Sequence, residues 1–173
     1  SLDNKWGILI YFFLIIISEV IPPINALPFL PIASNTFGWI DTALINICGW
    51  VIGAIIAFEI ARKYGVPIVK NIISLKDIYL IEQKIPSENI FWAIVLLRMS
   101  IPVDILSYGL GLFSKIDRKK YILATIIGVT PFAFILSYLG SLPVIYQLFS
   151  FTTGILIIIL GWLIYHKKKL NNI

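Results

Sequence analysis

This sequence is short of the residues that most chemistry needs. It holds one cysteine, Cys48, so no disulfide can form within the chain. It holds one histidine, His166, which sits in a basic tail. That excludes a histidine-built metal site and a buried histidine base, and no metal or other cofactor is expected. No glycine-rich loop ending in Lys-Ser or Lys-Thr is present, which excludes a nucleotide-driven motor. Charge is also sparse: 13% of the 173 residues are charged and 59% are hydrophobic. A soluble domain carries nearer a quarter charged residues, and one of this size lacks the interior to hide so much apolar surface. The composition predicts an integral membrane protein with a single domain over residues 1–173. The first apolar run leads into prolines, not a small-residue cleavage site, so a cleavable leader is not expected.

What charge there is falls in clusters. Arg62, Lys63, Lys70, Lys76 and Lys84 lie in one connection, Lys115, Arg118, Lys119 and Lys120 in a short loop, and Lys167–169 in the tail. Basic loops beside apolar runs mark the cytoplasmic side and meet anionic headgroups, so nucleic acid is not an expected partner. The apolar runs at 121–140 and 144–165 contain no Asp, Glu, Lys or Arg and are each long enough to span a bilayer. Two crossings return the tail to the side of the 115–120 loop. The 62–88 connection is basic too, so the segment between, 89–114, must begin and end on that same side. It is predicted to enter the bilayer and turn back. Pro102 removes a backbone donor at the turn, and irregular backbone at that depth must line a protein-walled cavity.

The front of the chain repeats this pattern. Glu19 precedes Pro22 and Pro23 by three and four residues, and Arg98 precedes Pro102 by four. Each broken stretch, near 19–34 and 89–114, is followed by a crossing helix, near 36–61 and 121–140. The expectation is an all-α integral membrane fold. It is an inverted repeat of re-entrant helical hairpin plus transmembrane helix, completed by a C-terminal transmembrane helix near 144–165. Residues 6–18 are too short to cross alone. Residues 66–85 have apolar positions at helical spacing and predict an interfacial amphipathic helix.

Three segments in order carry a resemblance: "GWVIGAIIAFEIARKYG" (49–65), "LLRMSIPVDILSYGLGL" (96–112) and "YILATIIGVTPFAFILSYLGS" (121–141). Together they resemble the DedA/VTT-domain membrane family, once called SNARE-associated Golgi proteins, and within it the yeast-Golgi-type branch. The matched positions include Gly49, Gly53, Phe58, Arg62, Arg98, Pro102, Tyr108, Gly109, Gly128 and Pro131. The first hairpin departs from the family's Pro-Gly pattern with "IPPINALP". The resemblance covers roughly residues 19–141. It implies two facing re-entrant hairpins, and phospholipid scrambling or recycling of polyprenyl-phosphate carrier lipid.

Arg98 is the leading site candidate, because a mid-bilayer guanidinium is costly and its planar fork suits phosphate. The competing reading is a structural ion pair with Glu19 or Asp104. Glu19 is a candidate proton-exchanging carboxylate or that pair's acid. Asp104 follows Pro102 by two, where it could cap the second arm, pair with Arg98 or relay protons. Pro22, Pro23 and Pro102 are the predicted hairpin tips. Glu59 and Arg62 are spaced as an i, i+3 surface pair, and Tyr108 and Gly109 are secondary candidates. Gly49, Gly53 and Ala57 form a small-residue face for the re-entrant arms or for a homodimer. The leading functional expectation is a lipid translocase, not an enzyme, with membrane lipids as partners and protons as a candidate co-substrate. The alternatives are a proton-coupled carrier of a small solute or ion and a non-transporting membrane organiser. The expected setting is a prokaryotic plasma membrane, with the basic loops and tail in the cytoplasm.

Overall fold

The computed structural model describes residues 2–21, 24–74, 76, 89–99, 103–149 and 152–153, with side chains from residue 5 onward. Pro22, Pro23 and Pro102, the sites assigned to hairpin tips, lie outside the described residues. So do Lys84, His166, Lys167–169 and most of the segment 144–165, of which 144–149 is helical. The described chain is helical, with no strand among the described residues.

Helix α1 (Leu2–Val20) leads through an irregular stretch and a 3-10 turn (Leu27–Phe29) into α2 (Leu30–Phe37). Helix α3 (Trp39–Tyr64) follows after one residue, Gly38, whose φ of 90° and ψ of 148° suit a residue without a Cβ. Then come α4 (Val66–Val69), α5 (Ile90–Leu97), α6 (Val103–Phe113) and α7 (Arg118–Ser141). The 26-residue α3 and the 24-residue α7 are each long and apolar enough to cross a membrane. Pro131 lies inside α7 without ending it. Asp117 caps the start of α7 by accepting from the Lys119 amide at 3.0 Å.

The N-terminal helix starts at Leu2, four residues before the apolar run, and its 19 residues extend about 28 Å at 1.5 Å each. It is not one of the two helices long and apolar enough to cross a membrane. One expectation changes: the stretch after α3 is not one amphipathic helix. Gly65, with φ 66°, ends α3, and α4 is a single turn that gives way to hydrogen-bonded turns through Ile73. Val69 and Ile73 are buried against Ala57, Ala61 and Tyr108, so they join the core. Residues 77–85 lie outside the described residues.

The packing is an exchange. The central pair is α3 against α7. Helix α1 packs on α3, and α5 on α7, so each leading helix lies on the long helix that follows it. The trailing helices cross over: α6 packs on α3, and α2 on α7. The exchange needs backbones close together, and small residues permit it. Ala54, Ala57 and Ala61 of α3 are fully buried. A Cβ built on Gly111 of α6 would lie 2.5 Å from the Phe58 carbonyl oxygen and 2.6 Å from the Ala61 Cβ. The Gly49 and Gly53 face is taken by Ile15 and Glu19 of α1.

Replacement Gly111→Val is expected to push α6 off α3 and to cost about 1–3 kcal/mol. Thermal unfolding in detergent checks this, with a lowered midpoint as the outcome.

Candidate functional site

Arg98 is the C-cap residue of α5, at the point where the leading helix breaks. It is 4% exposed. Its Nη1 donates to the Val103 carbonyl at 2.7 Å and to Ser107 Oγ at 3.1 Å, both on α6. Its Nη2 donates to Tyr121 Oη at 2.8 Å and to Thr125 Oγ1 at 3.1 Å, both on α7. The guanidinium therefore ties the two arms around the break to the long helix behind them. Every partner is neutral. The only ion pair among the described residues is Arg118 with Glu59, at 3.2 Å. The expected pairing of Arg98 with Glu19 or Asp104 is thus replaced by four hydrogen bonds to carbonyl and hydroxyl oxygens. Hydrogen bonds to a charged group are worth about 1.5–3 kcal/mol each, enough together to hold the cation without an acid.

Tyr121 is fully buried and does three things at once. It accepts from Arg98, donates to the Ala54 carbonyl at 3.0 Å, and stacks on Phe58 with centroids 4.0 Å apart. On the other face of Phe58 lies Arg62, 4.2 Å from the ring centroid. Arg62 does not pair with Glu59, as its spacing suggested. It donates to the carbonyls of Ser114 at 2.8 Å and Ile116 at 3.0 Å, just past the end of α6. A planar fork that meets two free carbonyls at a helix end outcompetes a solvated pair on its own helix. Glu59 turns to Arg118, and both are well exposed, so that bridge is worth little.

Glu19 stands at the end of α1 as Arg98 stands at the end of α5, and the two seats match. A Cβ on Gly53 would overlap the Glu19 Cβ and lie 3.1 Å from the Ile16 carbonyl. A Cβ on Gly128 would lie 2.8 Å from the Arg98 Cβ and 3.1 Å from the Val95 carbonyl. In each case a glycine notch on the long helix receives the charged residue and the carbonyl three residues before it. Each charged residue is left with one buried side-chain atom that has no hydrogen-bond partner among the described residues, Oε2 of Glu19 and Nε of Arg98.

A cavity of about 630 Å³ lies between the two breaks. Its walls include Glu19, Arg98 and Asp104, so the three leading candidates come together. Asp104 is in the first turn of α6. Ser18, Asn25 and Asn46 add polar atoms, and Trp50, Val129 and Phe132 add apolar wall. Asn46 accepts from Tyr11 at 3.0 Å and donates to Ser137 at 3.2 Å, linking α1, α3 and α7. Among the described residues, the cavity wall does not include Glu59, Arg62, Tyr108 or Gly109. Tyr108 instead donates to the Val20 carbonyl at 2.7 Å, joining α6 to the last turn of α1. Gly109 is buried within α6.

Residues 21–142 match the VTT domain family profile. The chain belongs to the VTT-domain family. This is the domain of the DedA and SNARE-associated proteins, which are membrane-associated, and the matched span holds both long apolar helices. No curated protein and no solved structure matches the chain significantly. Within this VTT domain the residues missed at sequence level are Tyr121, Thr125, Ser107 and Asn46. A signal for three of them exists: Asn46, Trp50 and Gly53 have the same spacing as Tyr121, Thr125 and Gly128, offset by 75 residues.

Tyr121→Phe keeps the ring but leaves an Arg98 amine and the Ala54 carbonyl each short of a partner. The expected loss is about 1–3 kcal/mol, read as a lower thermal midpoint. Tyr138→Phe, at a half-exposed position, is the control and is expected to leave the midpoint unchanged.

Proposed function

We propose that this chain is a membrane lipid translocase, a scramblase or flippase that moves phosphate-bearing lipids between leaflets. The observation that carries the reading is the opposed seating of Glu19 and Arg98. Two broken helices bring opposite charges, in matching glycine notches, to the wall of one cavity. Around it, outward-facing Leu9, Phe13, Leu123 and Ile135 give the chain an apolar coat suited to acyl chains. A headgroup crosses in the cavity while its tails stay against that coat. No bond is broken in such a passage, so the reading is transport and not enzymology.

The fold expectations belong to this reading. The helix pairs α1–α2 and α5–α6 are the two re-entrant hairpins, and the crossed packing on α3 and α7 is that of an inverted repeat, with its site where the hairpins meet. The basic residues Arg62, Lys63, Lys115 and Lys119 share one end and face the cytoplasm of a prokaryotic plasma membrane. Arg98 receives the phosphate: its hydroxyl partners Ser107 and Thr125 are neutral groups that phosphate oxygens can replace.

Two experiments test this. In proteoliposomes with acyl-labelled fluorescent phospholipid, the wild-type chain is expected to expose inner-leaflet label to dithionite, and Arg98→Ala to lose at least about tenfold in rate. Unchanged lipid movement in both Arg98→Ala and Glu19→Gln, at wild-type thermal stability, would leave the charges only a structural role. For topology, single cysteines replacing Lys76 and Lys115 in a Cys48→Ser background are expected to label from the same side, and one replacing Asp41 from the other. Labelling of positions 76 and 115 from opposite sides would end the re-entrant reading of the segment between them.

A further inference from the structure

We propose that residues 24–37 are a lid, hinged at Gly38 and latched to the end of α7 by the Asn35 side chain, which opens away from the basic loops. What the opening admits rests on the translocase reading. The lid itself follows from how unequally the two trailing helices are held.

Helices α2 and α6 occupy comparable places, each packed on the long helix of the other half. Helix α6 buries six of its eleven residues. Arg98 grips its Val103 carbonyl and Ser107, and Tyr108 donates to the Val20 carbonyl of α1. Arg62 clamps the carbonyls of Ser114 and Ile116 just past its end. Helix α2 buries only three of its eight residues, Leu30, Ala33 and Ser34. Asn35 Nδ2 donates to the Gly140 carbonyl at 3.0 Å. Among the described residues, that is the one hydrogen bond joining 24–37 to another helix. The others are local: the Ile24 amide to the Ile21 carbonyl, the Leu27 amide to Asn25 Oδ1, and Asn35 and Thr36 to carbonyls one turn back in α2. A segment with few buried side chains and one distant bond belongs to the low-stability end of a fold, from which lids are drawn.

The latch is built for release. The Gly140 carbonyl also accepts from Gln147 Nε2 at 3.0 Å, so it keeps a partner when Asn35 leaves. At the hinge, a Cβ on Gly38 would meet no atom within 4 Å beyond its chain neighbours, so α2 can swing against α3 without a clash. The segment that swings is also cavity wall: Ile24, Asn25, Ala26, Leu27 and Leu30 line one side. Ala26 and Ala33 share a buried cluster with Val129 of α7, which is 2% exposed, so lifting the lid uncovers Val129. Gly140 lies at the end of α7, opposite Arg118, Lys119 and Lys120 at its start. Trp39, at the start of α3, packs edge-on to Tyr138 near that same end, with centroids 5.6 Å apart. Hinge and latch are therefore together, remote from the basic loops.

The test labels a single cysteine, Val129→Cys in a Cys48→Ser background, with a membrane-impermeant thiol reagent in oriented membrane vesicles. Labelling is expected from the side of Asp41. Asn35→Ala is expected to speed it about threefold to tenfold, the population shift that loss of one neutral hydrogen bond gives. Thr36→Ala, which removes a bond internal to α2, is the control and is expected to leave the rate unchanged. Arg62→Gln is expected to have a smaller effect than Asn35→Ala, because α6 keeps its ties to Arg98 and Val20. No acceleration in Asn35→Ala, equal acceleration in Thr36→Ala, a larger effect of Arg62→Gln, or labelling only from the side of Lys115 would overturn the proposal. Should Val129→Cys not fold, Leu136→Cys on the same cavity wall takes its place. Labelling reports the lid whether or not lipid crosses. The expected labelling with no lipid movement by the wild-type chain would keep the lid and remove the translocase reading.

Discussion

The burial of one guanidinium organises this molecule. A cation held at the depth of an apolar helix bundle is expensive, and the chain meets that expense with hydrogen-bond geometry, without a direct ion pair among the described residues. Arg98 draws the Val103 carbonyl and Ser107 from the arm after the helix break and Tyr121 and Thr125 from the long helix α7. Tyr121 carries the connection on to Ala54 of α3 and, through its stack on Phe58, to Arg62 at the far end of that helix. Arg62 in turn holds the carbonyls that follow α6. Helices α3, α5, α6 and α7 are thereby fastened around a single side chain. The notch at Gly128 is the condition for it, since a Cβ there would meet the Arg98 stem.

The same backbone device is used twice, with opposite charge and opposite outcome. Gly53 receives Glu19 as Gly128 receives Arg98, yet only the arginine has both terminal amino groups engaged by protein oxygens. Arginine has five donors in a rigid fork and can be satisfied by neutral oxygens, which helix ends and hydroxyls supply in plenty. A carboxylate needs donors, and buried backbone in helices has already spent its N–H groups. The asymmetry follows from that chemistry: one charged residue becomes a fastening, and the other retains an unmet acceptor beside the cavity.

This explains what could be read from sequence and what could not. Arg98, Glu19 and Asp104 stood out because charge within apolar runs is rare and demands a reason, and all three wall the cavity. The partners of Arg98 did not stand out. Ser107, Tyr121 and Thr125 are inexpensive in an apolar segment, and only the matched spacing of 46, 50, 53 with 121, 125, 128 marks their face. The pairing of Glu59 with Arg62 was inferred from local spacing, but carbonyls more than 50 residues away in sequence won, because tertiary contact offered a two-point acceptor. The turns after Gly65 were missed for the same reason: packing breaks the helix where Val69 and Ile73 are drawn into the core.

The lack of an ion pair at Arg98 among the described residues bears directly on the proposed passage of phosphate. A buried Arg–carboxylate bridge would have to be broken before an anion could bind, leaving a buried acid uncompensated at a cost of several kcal/mol. Hydroxyl partners impose no such barrier. A phosphate oxygen that replaces Ser107 or Thr125 on a guanidinium N–H exchanges a neutral acceptor for a charged one, and the displaced hydroxyl can rotate to a neighbouring helix carbonyl. Ser107 already donates to the Val103 carbonyl. The groups that hold Arg98 at rest can therefore hand it over without stranding a charge, and take it back when the headgroup leaves.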